Sequence, residues 1–257
     1  MAIDLDETEV RERLRPLARD PPFLRAVENV TADPLFLSLF LMGVSFGEAL
    51  GEKGVTAIRE DEVARQMHDL ERQRLEEHGH AVGTRLIVEE LFPQHFDAGR
   101  YRYEGSLFNR EYYFTVREEN RRRLKERGRY SRLNLYLTTS FGYEVMVELL
   151  YGAVLEALGR SPLPLRIRER VELVLTMILR QEETHLAIVE QHNRLLATER
   201  SGLSPQGAAT LDALTLLEAE DYEWTADLAV REIVRAVAPY ADAATARAYV
   251  DSAQAAG

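Results

Sequence analysis

The chain has 257 residues, 46% of them apolar, with 32 Lys+Arg against 43 Asp+Glu and no cysteine. That length buries a sizeable core unaided, and the absent thiols exclude disulfides, zinc–thiolate sites, iron–sulfur clusters and a cysteine nucleophile. The net charge of −11 argues against a dedicated nucleic-acid surface, and any metal must sit on His, Asp, Glu or backbone oxygen.

The longest uncharged stretch near the N-terminus, residues 34–47, has 14 residues. It falls short of the roughly 20 that span a bilayer. It also lies too far in, behind acidic residues, for a secretory signal, so a soluble cytoplasmic protein with no membrane partner is expected.

Apolar residues recur at three and four rather than at two, and Pro and Gly are sparse, so the elements are helices. A first amphipathic piece covers about Glu7 to Ala18 and stops before Pro21-Pro22. Asp33-Pro34 reads as an N-cap and first helical residue. It opens a very apolar helix through Leu35, Leu39, Met42 and Phe46 towards Gly51 or beyond. A second long helix spans about Asp61 to Phe92 and ends at Pro93, and an irregular stretch follows from Gln94 to Tyr103. Ser106 to Arg127 reads as a crossover helix closed by Gly128. The third long helix, about Ser131 to Leu158, ends at Gly159 with Pro162 and Pro164 behind it. The fourth, about Ile167 to Thr198, precedes a turn at Ser201 to Pro205. Helical stretches over about Gly207 to Ala236 and Ala241 to Ala255 finish the chain. The expected class is all-α: one domain over 1–257, with a four-helix bundle and crossover helix in 34–198 and a C-terminal helical extension in 199–257.

Arg121-Arg122-Arg123, continued by Lys125, Arg127 and Arg129, is the one basic cluster. It reads first as a solvated helix face and second as a docking patch for an acidic redox partner.

Two Glu-x-x-His motifs carry the chemistry: Glu77 with His80, and Glu182 with His185. Three-residue spacing puts both side chains on one helical face, within reach of one metal ion. Composition alone supplies about 0.7 such pairs in this chain, so context must decide. The motifs fall on the second and fourth core helices. Leu175, Ile178, Leu186 and Val189 share the face of the second motif. Leu70, Ala81, Thr84 and Val88 share that of the first, less cleanly, because Gln73 and Arg74 lie nearby. The first and third helices supply the complement. Glu48 is the first charge after 14 uncharged residues, and Glu144 ends the uncharged run from Leu133 to Tyr143. An unpaired carboxylate on a buried face costs several kcal/mol, so it must be protonated, paired or bound to a cation. Each follows a Ser-Phe-Gly segment, a faint internal echo.

One glutamate from each of two helices plus Glu-x-x-His from each of the other two gives four carboxylates and two imidazoles. That set resembles the ferritin-like di-iron carboxylate superfamily, which includes bacterioferritins, rubrerythrins, and oxygenase and ribonucleotide reductase small-subunit relatives. The resemblance covers about Pro34 to Thr198 and rests on six residues. It implies two Fe ions, or a Mn/Fe pair, that activate dioxygen or peroxide. Glu48 and Glu144 would be the lone helix carboxylates, Glu77 and Glu182 would bridge, and His80 and His185 would give one nitrogen to each metal.

Turn symmetry places Glu144 level with Glu182 about a midpoint at residue 163, between Pro162 and Pro164. For Glu48 and Glu77 the midpoint is 62.5, whereas the nearest breakers are Gly51 and Gly54. Either the first helix runs through those glycines to about Ala57, or a long loop follows, so Glu48 is the least secure ligand. Glu148 lies one turn after Glu144 and competes for its place. His78 points about 200° away from His80 and should face solvent. His192 lies near the face of His185, while His68 and His95 have no evident partner. Tyr143 and Tyr151 flank the third-helix carboxylates, where core packing is the simpler role and redox activity the alternative. Without cysteine, a full rubrerythrin is excluded.

The resulting expectation is a di-iron (or Mn/Fe) oxidase or oxygenase acting on a small organic substrate with dioxygen. An electron-donor protein and a homodimeric assembly stand as open partners. The alternatives are a ferritin-like iron-handling protein, another metal hydrolase, and a metal-free helical binding or scaffold protein in which both motifs are accidents.

Overall fold

In the computed structural model the described residues are Pro16 and residues 19–60, 64–66, 70–96, 113–197, 204–214 and 217–255. The expected first amphipathic piece, most of the 94–103 stretch, the start of the crossover helix and His68 lie outside them. Among the described residues every regular element is helical.

The first element is a helix the sequence reading missed, α1 over Pro21–Ala32. The paired prolines open it. Asp20 caps the helix by accepting from the Phe23 backbone N–H, and proline at the first turn gives up a donor that would be unpaired anyway. Helix α2, Pro34–Ile58, starts as expected, with the Asp33 carboxylate accepting from the N–H groups of Leu35 and Phe36. Such a cap is worth about 1 kcal/mol. The helix runs through Gly51 and Gly54 to Ile58, which answers the open question about its length. It is long and apolar enough to cross a membrane, but 67% of its apolar window is buried inside the molecule.

Helix α3 spans Leu70–Leu91, starting later than expected, after a short 3-10 turn at Ala64–Gln66. The crossover helix α4 occupies 113–126 and closes at Gly128, whose φ of +66° is the left-handed conformation that only glycine adopts freely. Ser131 caps α5, Arg132–Leu158, through the Asn134 N–H. Helix α6 covers Leu165–Ala197. The single helix expected from Gly207 to Ala236 is instead two, α7 at Pro205–Leu214 and α8 at Ala219–Val237. The reason is local: Glu218 and Asp221 form a reciprocal capping box that starts a new helix. A 3-10 turn at Ala238–Ala241 leads into α9, Ala243–Ala255.

Four helices close a ring: α2 packs on α3, α3 on α6, α6 on α5, and α5 back on α2. The connections Ile58-to-Leu70 and Leu158-to-Leu165 are short, so each sequential pair is antiparallel, and they lie at opposite ends of the ring: Ile58 and Leu70 cluster with Leu133 at the start of α5, whereas Ser161 donates to the Thr31 carbonyl beside the start of α2. Helix α8 lies along the outside of α5, and α1 packs on α2 and α5. The main core includes Leu37, Leu41, Met42, Val147, Leu175 and Ile178, all nearly inaccessible. Each such side chain contributes about 1.5–3 kcal/mol by leaving water. Helices α5 and α8 approach so closely that a Cβ at Gly142 would meet the Thr225 methyl at 2.5 Å.

The basic cluster is largely spent inside the molecule. Arg123, Arg127 and Arg129 pair with Glu218, Glu220 and Asp221 at the start of α8. Arg122 is held by Glu119 and Glu126. The cluster therefore fastens the crossover helix to the C-terminal extension.

Candidate metal centre

The four ring helices each send acidic or imidazole side chains into the same buried volume. From α2 comes Glu48, from α3 Glu77 and His80, from α5 Glu144, and from α6 Glu182 and His185. All six are at most 4% exposed. They form two groups that could hold metal ions: Glu48, Glu77, His80 and Glu182, and Glu77, Glu144, Glu182 and His185. Within each group the ligand atoms lie within 4.8 Å of one another, and Glu77 and Glu182 belong to both. Glu48 is thus part of the cluster, because α2 continues straight through its glycines.

Both imidazoles turn Nδ1 inward. His80 Nδ1 lies 3.1 Å from Glu48 Oε2 and 3.5 Å from Glu182 Oε1. His185 Nδ1 lies 2.5 Å from Glu182 Oε2, 3.6 Å from Glu144 and 3.8 Å from Glu77. Each Nε2 faces an acceptor outside the cluster: Gln181 Oε1 for His80, and Glu76 Oε2 at 3.1 Å for His185. An Nε2–H donated outward leaves Nδ1 as the ligating atom, the tautomer such outer partners impose in metal sites.

Further contacts position the carboxylates. Tyr151 donates its hydroxyl to Glu48 Oε1 at 3.3 Å, and its ring packs edge-on against Phe40. Tyr136 donates to Gln73 Oε1 at 3.0 Å, and Gln73 Nε2 reaches Glu77 Oε1 at 3.5 Å. Ser45 Oγ ties α2 to the Ala81 carbonyl at 2.6 Å, one turn from the site.

The electrostatics are those of an acidic nest stripped of solvent. Burial pushes the carboxyls of Glu77 and Glu144 well above their usual range, and the Glu182 charge adds to the shift. Burial disfavours charge on the imidazoles too, but hydrogen bonds and attraction to Glu182 and Glu48 hold His80 up to about 10. Glu144 and Glu182 do the same for His185, to about 12. Burial also opposes charge on Glu182, yet bonds to Glu144 and the two imidazoles leave its carboxyl below the ordinary range. Despite this network, Glu77 Oε2 and Glu144 Oε2 are buried with no hydrogen-bond partner. Leaving such oxygens unsatisfied is costly, and a cation between the carboxylates removes the cost. The residues present fit bound metal ions: the carboxylates would balance a cation's charge, and carboxylate oxygen and imidazole nitrogen are both ordinary metal donors.

The competing residues are placed elsewhere. Glu148 is exposed, whereas Glu144 is 3% exposed. His78 is exposed and pairs with Glu52 at 3.1 Å. His95 is half-buried beyond the end of α3, near Asp33 and Arg247. The side chains of Leu186, Val189 and His192 lie outside the described set. Leu175 and Ile178 on the second motif's face, and Leu70, Ala81, Thr84 and Val88 on the first's, are all buried. Sequence reasoning missed Gln181, Glu76 and the role of Gln73. The Glu-Glu doublet at Glu76-Glu77 was a signal for Glu76; nothing pointed to Gln181.

A cavity of about 500 Å³ opens beside the cluster, and Glu77 and Glu144 are part of its wall. Gly47, Gly51 and Gly54 line it from α2. These lie on one helical face, where missing side chains leave room.

No family model matches the chain, and neither curated proteins nor solved structures give a match to it.

Proposed function

We propose that this chain is a ferritin-like di-iron, or manganese/iron, carboxylate protein that activates dioxygen to oxidise a small organic substrate. The observation that carries the reading is the pair of buried four-residue groups sharing Glu77 and Glu182. Glu48 and His80 would hold one ion, Glu144 and His185 the other, with Glu77 and Glu182 between them. Two such ions supply reversible electron transfer to dioxygen, the chemistry that none of the side chains here offers alone.

The chain's own residues do the rest. Gln181 and Glu76 keep the outer imidazole protons, so that both Nδ1 atoms face the ions. Tyr151 orients Glu48. The apolar walls of the ring keep bulk water from the carboxylates, which strengthens every interaction among them. The cavity gives an organic molecule access to the Glu77 and Glu144 side. That opening favours a substrate oxidase over an iron-storage role, for which a pocket of this size has no use. A cytoplasmic setting and an electron-donor protein complete the proposal, since dioxygen chemistry at such a site needs reducing equivalents.

The test is oxygen uptake. Protein loaded anaerobically with ferrous ion should consume dioxygen on mixing, followed with an oxygen electrode. His185→Ala and Glu77→Ala proteins should not exceed the rate of free ferrous ion. Uptake by the loaded protein no faster than by free ferrous ion would overturn the reading.

A further inference from the structure

The cavity has one end lined by cations and another by carboxyl groups. Its inner end is the buried pair Glu77 and Glu144; around the rest of its wall stand Lys53, Arg117, Arg121 and Arg132, with no other carboxylate among the described residues. Exposure rises in the same direction: Lys53, Phe114, Tyr130 and Arg132 are exposed, Arg117 and Arg121 are half-buried, and Glu77 and Glu144 are 3% exposed. The cations therefore form the mouth and the carboxylates the floor.

These cations differ from the other arginines nearby. Arg122, Arg123, Arg127 and Arg129, on or just after the same crossover helix, are all paired with carboxylates. Lys53, Arg117 and Arg132 pair with no carboxylate among the described residues. Arg121 meets Glu118 at 2.9 Å, yet its Nε is buried without a partner. Arg132 also occupies the first position of α5, where the positive end of the helix dipole disfavours a cation. An anion bound there would offset that unfavourable term. The wall also carries Tyr113, Tyr136 and Tyr143 together with Leu50, Ile58 and Leu135.

We infer that the cavity binds an amphipathic organic anion, its carboxylate or phosphate held at the mouth by Arg117, Arg132 and Lys53 and its apolar body directed at Glu77 and Glu144. This rests on the dinuclear reading only for what happens at the floor; the binding itself follows from the mouth. A guanidinium fork matches either headgroup, and about 500 Å³ accommodates an eight-carbon chain or a phenyl-propyl body. A cationic or neutral molecule of the same shape would leave the three mouth cations uncompensated. An anion placed the other way round would meet the floor carboxylates.

Calorimetric titration of the full chain tests this with octanoate, octyl phosphate and 3-phenylpropionate against octanamide, 3-phenylpropionamide and octylamine. At least one anion should bind tenfold or more tighter than its neutral or cationic counterpart. The tighter of octanoate and octyl phosphate identifies the headgroup. The Arg117→Gln/Arg132→Gln protein should lose that preference while binding the amides unchanged, and Arg117→Lys/Arg132→Lys should recover part of it. Arg166→Gln, an exposed arginine paired with Glu90 elsewhere, should change nothing. Anions and amides binding alike, no anion binding at all, or an anion preference that survives in the Gln protein would overturn the inference. Metal-free protein gives the same readout, so failure of the dinuclear reading and failure of this one are told apart.

Discussion

A Cβ on Gly51 of α2 would stand 2.6 Å from Oε2 of Glu77 on α3. The glycine is therefore the seat of a carboxylate that both four-residue groups share. Alanine fits the helical backbone there and adds up to about 1 kcal/mol of helix propensity. Gly51→Ala should leave the metal-free protein as stable or more stable in thermal melts, yet weaken metal binding at least tenfold in equilibrium dialysis. Metal affinity equal to that of the parent protein would show that Glu77 is not held by this contact.

Ligand rank follows from orientation. His80→Ala and His185→Ala should each remove most of the bound metal, because both Nδ1 atoms face the carboxylates. His78→Ala should remove little, since that ring pairs with Glu52 on the outside. Equal losses at all three positions would contradict the orientation of α3.

Glu144 and Glu148 separate in the same way. They stand one turn apart, about 6 Å along the axis, and a dinuclear site with metals about 3.5–4 Å apart cannot absorb that shift. Glu144→Ala should abolish dinuclear binding, whereas Glu148→Ala, at an exposed position, should leave it intact. Metal analysis of the two purified variants decides, and the reverse order would displace Glu144 from the site.

The raised imidazoles set a pH dependence. His80 at about 10 and His185 at about 12 lie above the ordinary histidine value of 6.5. Groups raised by folding stabilise the metal-free protein fully below about pH 6.5, and that contribution is lost as pH climbs through 10 and 12. The raised carboxyls of Glu77 and Glu144 act in the same direction, since folding favours their protonated forms. The melting temperature of metal-free protein should therefore fall from pH 6.5 to 10. Metal must displace at least the two imidazole protons, so its overall apparent affinity should rise about 100-fold per pH unit between pH 6 and 9. A pH-independent affinity would mean that the imidazoles are not ligands.

How much of this was legible in the sequence depends on what each residue does locally. Asp33, Ser131 and Gly128 act on their own backbone neighbours, so the ends they set could be read directly. The six acidic and imidazole positions could be read as well, because charge and imidazole at helical spacing on apolar faces is a local pattern. Gly51 and Gly54 left the end of α2 open, since a glycine that breaks a helix and one that makes room for a facing side chain look alike until α3 is in place. Pro21-Pro22 misled in the same manner: a stop for one segment is a first turn for the next, and only Asp20 as a cap distinguishes them. Gln181 and the cavity were out of reach, because they depend on contacts between helices about 100 residues apart.

In the proposed centre one buried cluster holds two ions. Protein loaded anaerobically with ferrous ion, freed of excess metal and assayed by elemental analysis, measures it most directly. Close to two iron ions per chain are expected, falling below about half an ion per chain in the His80→Ala/His185→Ala protein. Less than about half an ion in the parent chain, or the same two ions in the doubly substituted chain, would contradict it.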